Sequence, residues 1–206
     1  MSGAQRSDPA DGGRLIGRVT RCNIKGYAGG IRLTEPDLPT FGGLCRAAAQ
    51  GGRSQVIGLI YEISIEDDDL ARQLAASDVP QTEVRLDQQF VRPIPIEILA
   101  LSVGYHDGNG YRYDLPPQPP TTLADIYSLT PEEVRAFTAS LDFLPLVIAA
   151  PQLPTDSLLA AMFRQAALAR PEPDQRAFLV EAGRACARLL AGDLARLHNL
   201  VRSLQG

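Results

Sequence analysis

Leu115-Pro116-Pro117-Gln118-Pro119-Pro120 divides the chain into two stretches of different periodicity. Four prolines in six residues hold the backbone near polyproline geometry and remove N–H donors that a helix or a sheet ladder would use. Before them the apolar pattern repeats every second residue, as in strands. After them it repeats at three and four, as in helices.

Working back from the prolines, Tyr111–Asp114 reads as the last strand of the first stretch, entered through the turn His106-Asp107-Gly108-Asn109-Gly110. Asp-Gly and Asn-Gly pairs adopt positive φ at little cost and suit a hairpin. Phe90–Val103 is rich in Val, Ile and Leu, while Pro93 and Pro95 within it predict an edge, bend or bulge. Ser54–Ile65 carries the strongest strand pattern in the chain, with Val56, Ile57, Leu59, Ile60, Ile63 and Ile65. Leu44–Ala48 is a further candidate strand. Arg14–Ile24 alternates apolar with polar residues; Gly26, Gly29 and Gly30 read as a turn, followed by a short strand at Ile31–Thr34. Glu66-Asp67-Asp68-Asp69 ahead of Leu70 and Leu74 reads as a short helix, its carboxylates placed at the positive end of the helix dipole. About six short strands separated by turn signals predict a closed or nearly closed barrel.

Working forward, Thr130-Pro131-Glu132-Glu133 has the form of a capping box: Thr at the N-cap, Pro at the first helical position, Glu three residues on. A second helix start stands at Thr155-Asp156, before Leu158, Leu159, Met162 and Phe163. From about Asp174 the pattern predicts one helix reaching Leu204. On it Leu190, Leu194, Leu197, Val201 and Leu204 recur at alternating spacings of four and three. Such a stripe either packs within its own domain or docks a partner helix.

Bulk composition limits the function. The 206 residues carry 45% hydrophobic and 21% charged residues, values of an ordinary globular protein with a full core. Net charge is −4, against the basic excess by which nucleic-acid binders displace phosphate counterions. Residues 1–120 hold 12 basic and 15 acidic side chains, and residues 121–206 hold 8 and 9, so neither part is basic. Cys22, Cys45 and Cys186 stand far apart with only two histidines, His106 and His198, which is no zinc-ligand spacing. They read as free thiols of a reducing cytosol. Met1–Gly13 is small and polar with no apolar run, so the chain is expected to be cytoplasmic with a disordered tail.

The motifs of common chemistries are missing. A P-loop needs Gly-Lys-Ser/Thr, but the only lysine, Lys25, lies between Ile24 and Gly26. Gly26-x-x-Gly29-Gly30 lacks the spacing of a dinucleotide fold, and there is no Gly-x-Ser-x-Gly elbow. Glu66–Asp69 has the charge for a hard cation but not the alternation or turn glycine of a calcium loop. His106, at a hairpin tip, is placed for turn geometry more than for base catalysis. No catalytic activity, cofactor or metal is expected. Tyr111 and Tyr113 alternate around Arg112 and offer a surface on which a base could stack.

Residues 14–130 resemble the HAS-barrel, the small N-terminal barrel of HerA-type DNA-translocating ATPases and ATP synthase subunits. Leu15-Ile16-Gly17-Arg18-Val19 is similar to its opening strand, and Val56-Ile57-Gly58-Leu59-Ile60-Tyr61 to its central strand. Glu66–Leu70 is similar to the acidic insert. Arg92-Pro93-Ile94-Pro95, leading on to Leu115–Leu123, is similar to the proline-rich exit. In HerA proteins an ATPase core with a P-loop follows; here helices follow, so no catalytic residue carries over. The resemblance implies a stand-alone barrel of the kind that packs beside others on a hexameric ring and docks partners such as a nuclease. The expected organisation is α+β: a tail (1–13), a HAS-barrel-like β-barrel (14–114), a proline-rich linker (115–122) and a helical domain (123–206). The expected role is a non-catalytic assembly or adaptor module. Its partner would be a separately encoded HerA-like P-loop ATPase or further copies forming a homo-oligomer, with no membrane association. The alternative is a single-stranded nucleic-acid binder using Tyr111, Arg112 and Tyr113. Leu190, Leu194, Leu197, Val201 and Leu204 would form a second docking surface.

Overall fold

The computed structural model describes residues 12–33, 38–65, 94–151 and 153–205. The acidic stretch 66–69 with its expected helix, residues 1–11 of the expected tail, and Pro93 lie outside these. The strands are β1 (Leu15–Asn23), β2 (Gly26–Leu33), β3 (Leu44–Ala49), β4 (Ser54–Ile65), β5 (Ile94–His106), β6 (Tyr111–Arg112) and β7 (Asp125–Ser128). The helices are α1 (Pro131–Phe137), α2 (Leu144–Ile148), α3 (Thr155–Leu168), α4 (Glu172–Leu189) and α5 (Leu194–Gln205).

Pairing runs β1–β2–β5–β4–β3–β7 and back to β1, every pair antiparallel, so six strands close a barrel and β6 only extends the end of β5. Closure removes the unpaired edges of an open sheet. The interior is filled by alternate residues, among them Ile16, Val19, Tyr27, Val56, Ile60, Ile98 and Ile126. The fold is therefore α+β, a small barrel followed by helices.

Three features depart from the sequence pattern. The barrel does not end at Asp114. Its closing strand β7 lies beyond the prolines, inside the span expected to be helical, and pairs with β1 and β3. Asp-Ile-Tyr-Ser is too short to carry a period of its own; its neighbours' open edges make it a strand. Second, Gly26, Gly29 and Gly30 belong to β2, and the turn is only Ile24–Lys25, held by Asn23 Oδ1, which accepts from the N–H groups of Lys25 (2.7 Å) and Gly26 (3.1 Å). Gly29 is needed because a Cβ there would stand 2.2 Å from Ile126 Cδ1. Third, the long C-terminal helix is two. Gly192-Asp193 separates α4 from α5, and Asp193 Oδ1 caps α5 by accepting from Arg196 N at 3.1 Å.

The helices form a layer against one flank of the barrel. Leu44 of β3, Ile57 and Leu59 of β4 and Val103 of β5 turn outward into a core shared with Phe137, Leu158, Leu159, Met162 and Phe163. Phe137 stacks on Phe143 with ring centres 5.1 Å apart. Gly42, at φ +80°, lets the β2–β3 loop press onto α3, where a Cβ would come within 2.8 Å of Met162 N. Gln165 Nε2 donates to Phe41 O at 2.7 Å across the same contact.

Candidate functional site

Among the described residues no cluster of three His, Cys, Asp or Glu side chains is placed to hold a metal. His106 Nδ1 accepts from Gly108 N at 3.2 Å, and its ring meets the edge of Tyr111. Two thiols are sealed. Cys45 lies inside the barrel with its Sγ 3.2 Å from Tyr27 Oη, and burial pushes it up to about 12. Cys186 lies on the buried face of α4, where burial raises it to about 11. Thiol chemistry runs through the thiolate, which neither supplies near neutrality. Tyr27 is also raised, first by burial and then by Cys45. Cys22 is half-exposed, its Sγ donating to Pro120 O at 3.1 Å.

Tyr111, Arg112 and Tyr113 are brought to the seam between barrel and helices. Both tyrosine rings lie 5.3 Å from Phe137, and Tyr113 Oη donates to Phe137 O at 2.9 Å. Each ring is half-buried and engaged with the protein. Arg112 is exposed and paired with Asp107 at 2.9 Å. Asp107 is held below the usual carboxylate range, first by the Asn109 N–H and then by Arg112.

The C-terminal stripe is split by the break at Gly192. Leu190 closes α4 as a buried residue, while Leu194, Leu197, Val201 and Leu204 lie on α5. The innermost residue of α5 is Leu200, which the spacing does not select; Leu197 packs against the same core, and Val201 is 38% exposed. Arg196 fixes α5 to the start of α3 through Asp156 at 3.2 Å. Most of the inward surface of α5 is thus used within the molecule.

What remains open is the opposite flank of the barrel. On β1 the side chains of Arg18, Thr20 and Arg21 face solvent. Arg18 pairs with Asp125 of β7 at 2.8 Å, and Arg21 with Glu97 of β5 at 3.7 Å. Between them Gly30 on β2 leaves low relief. Where this flank meets the α2–α3 connection a groove of about 430 Å³ runs between the β1–β2 turn, Tyr61, Leu99 and Leu101, and Ala150, Pro151 and Leu153. A second groove of about 320 Å³ lies at the other end of the barrel, between Thr40, Leu129 and Met162 of α3. Strand alternation alone marks Arg18 and Thr20 as outward. The groove has no sequence signal, since Ala150, Pro151 and Leu153 of the helical layer close it against strands distant in the chain. No helix among the described residues is long and apolar enough to cross a membrane. No known family signature matches the chain, and no curated protein matches it in sequence.

Proposed function

We propose that this chain is a non-catalytic assembly module whose barrel docks, through the open β1–β2 flank, onto a separately encoded HerA-like P-loop ATPase or onto further copies of itself. The observation that carries this reading is the asymmetry of the barrel. One flank is consumed by the helical layer, while the other keeps a low-relief surface framed by Arg18–Asp125 and Arg21–Glu97. Such exposed pairs are screened by solvent and add little to stability, but they fix register and partner choice at an interface. The likeness of residues 14–130 to HAS-barrels supports an ATPase of that class as the partner.

The test is capture of the tagged protein from its own cell extract, with light scattering of the purified chain. Stoichiometric P-loop ATPase, or a defined oligomer, is expected, and Thr20→Arg should abolish either while leaving the melting temperature in place. A monomer that captures no ATPase refutes the proposal. Retention on a single-stranded oligonucleotide column at low salt, lost in Arg112→Ala, would replace it with nucleic-acid binding.

A further inference from the structure

One glycine of the open flank answers to nothing inside the molecule. Gly29 must be glycine because a Cβ would stand 2.2 Å from Ile126 Cδ1, and Gly58 because one would stand 2.4 Å from Tyr27 Oη. At Gly30, within β2, a Cβ would meet only Thr20 Cγ2 at 3.5 Å and Ile96 O at 4.0 Å, both ordinary contacts. Its φ lies outside the positive range as well. The irregularity of the β1–β2 pair falls beyond Val19, and Gly30 itself is in plain register with Arg18 on one side and Glu97 on the other. Glycine inside a strand weakens it, and where no bulge or internal crowding accounts for it, it marks a place where another backbone comes close. The charges beside it come in opposite signs. A single row runs from Asp125 on β7 through Arg18 on β1 and Gly30 on β2 to Glu97 on β5. Residues directly opposite share a face, so Arg18 and Glu97 stand on either side of Gly30, each about 5 Å away, one strand spacing. Glu97 is loosely engaged, its ion pair with Arg21 spanning 3.7 Å.

A row of this kind is complementary to itself. A two-fold axis lying between two facing flanks, along β2 and over Gly30, exchanges the two sides of the row. Arg18 of each copy then lies over Glu97 of the other, and the two Gly30 backbones face each other at the axis. A polyanion would be repelled by Glu97 and Asp125, whereas a second copy supplies both signs in the reverse order. We infer that this flank joins two copies of the chain in an isologous dimer, with Gly30 against Gly30 and Arg18 of each copy paired with Glu97 of the other. Such a contact uses the same patch on both chains and closes at two copies. The missing side chain lets the two β2 backbones approach, and the cross pairs set the register. The inference rests on the docking flank proposed above and gives it a single occupant.

Sedimentation equilibrium of the full chain across a concentration series tests it, and a dimer is expected. Gly30→Val should keep or raise the melting temperature, since valine suits a strand, yet weaken the dimer about tenfold or more by filling a packed contact. A glycine needed by the fold itself would lower the melting temperature instead. Arg18→Glu and Glu97→Arg, each shown to be folded by circular dichroism, should weaken the dimer about tenfold or more by placing like charges together. An equimolar mixture of these two variants should restore it, because each chain then carries the charges that the other lacks. A chain that stays monomeric at every concentration overturns the inference; if it still captures a P-loop ATPase, and Thr20→Arg abolishes that capture, the docking flank stands without the dimer. A dimer that Gly30→Val leaves intact, or that the charge-reversed mixture fails to restore, also overturns it and moves self-association to another face.

Discussion

Gly58 illustrates how tightly single residues are fixed inside the barrel. A Cβ at that position would stand 2.4 Å from Tyr27 Oη and 2.9 Å from Ala100 Cβ. Gly58→Ala is therefore expected to cost about 1–3 kcal/mol through overpacking, read as a lower urea midpoint. Adding Tyr27→Phe removes the closest of the clashing atoms and should restore part of that loss in a double-mutant cycle. The buried thiols predict a pH dependence. Cys45 is raised from 9.0 to about 12 in the fold, and Cys186 from 9.0 to about 11. Between these values the unfolded chain has released protons that the folded chain keeps, so unfolding gains as pH rises. Stability should be complete below about pH 9 and fall steadily towards about pH 12, with Tyr27 acting in the same direction. Equilibrium melts across that range check the slope. Disulfide-exchange labelling near neutrality should modify Cys22 in the native protein, and Cys45 and Cys186 only after unfolding.

Among the elements, α1 shows what a local motif discloses and what it hides. Thr130 Oγ1 accepts from Glu133 N at 3.2 Å, and Thr130 N donates to Glu133 Oε2 at 2.8 Å, the capping box its sequence announces. The other oxygen of Glu133 lies 3.0 Å from Arg46 Nε on β3, a side chain 5% exposed that also donates to Gln55 Oε1 at 3.0 Å. One carboxylate thus starts the helix and fastens it to the barrel. Glu133→Gln keeps the cap acceptor but removes the carboxylate charge that lies 3.0 Å from the buried guanidinium. The expected loss is about 1–2 kcal/mol, below the 3–5 of a fully buried pair because Glu133 is partly solvated. Arg46→Met combined with Glu133→Gln should recover much of it in thermal melts. The cap was legible because all its atoms lie within one turn, whereas Arg46 comes from a distant strand and leaves no spacing to recognise. The same reasoning covers the other elements. Ser54–Ile65 is long enough to display its period, whereas β7 is four residues and is defined by the edges it fills. A leucine stripe continues across Gly192-Asp193 on paper, but the chain breaks there and α5 rotates to bury Leu200. The open flank was readable only as outward-facing polar positions, and the seam groove was not readable at all.

For the molecule as a whole, the shared core makes barrel and helices one unit rather than two domains on a linker. Leu44, Ile57, Leu59 and Val103 are each 6% exposed or less, and all face the helices. Exposing four such side chains costs roughly 6–12 kcal/mol at about 1.5–3 each, as much as the total stability of a typical domain, about 5–15 kcal/mol. A fragment ending at Thr130 is therefore expected to bind a hydrophobic dye and to melt without a cooperative transition, whereas the full chain should melt in one. Independent folding of that fragment would refute the single-core description. The register of Leu15 against Tyr127 has a further effect, on synthesis. The first strand leaves the ribosome roughly ten seconds before its β7 partner, at about 5–20 residues per second. Through that interval β1 and β3 each present an unpaired edge of the kind that recruits other nascent chains. The period of greatest aggregation risk for this protein thus falls during translation, and it ends when a four-residue strand emerges and closes the barrel.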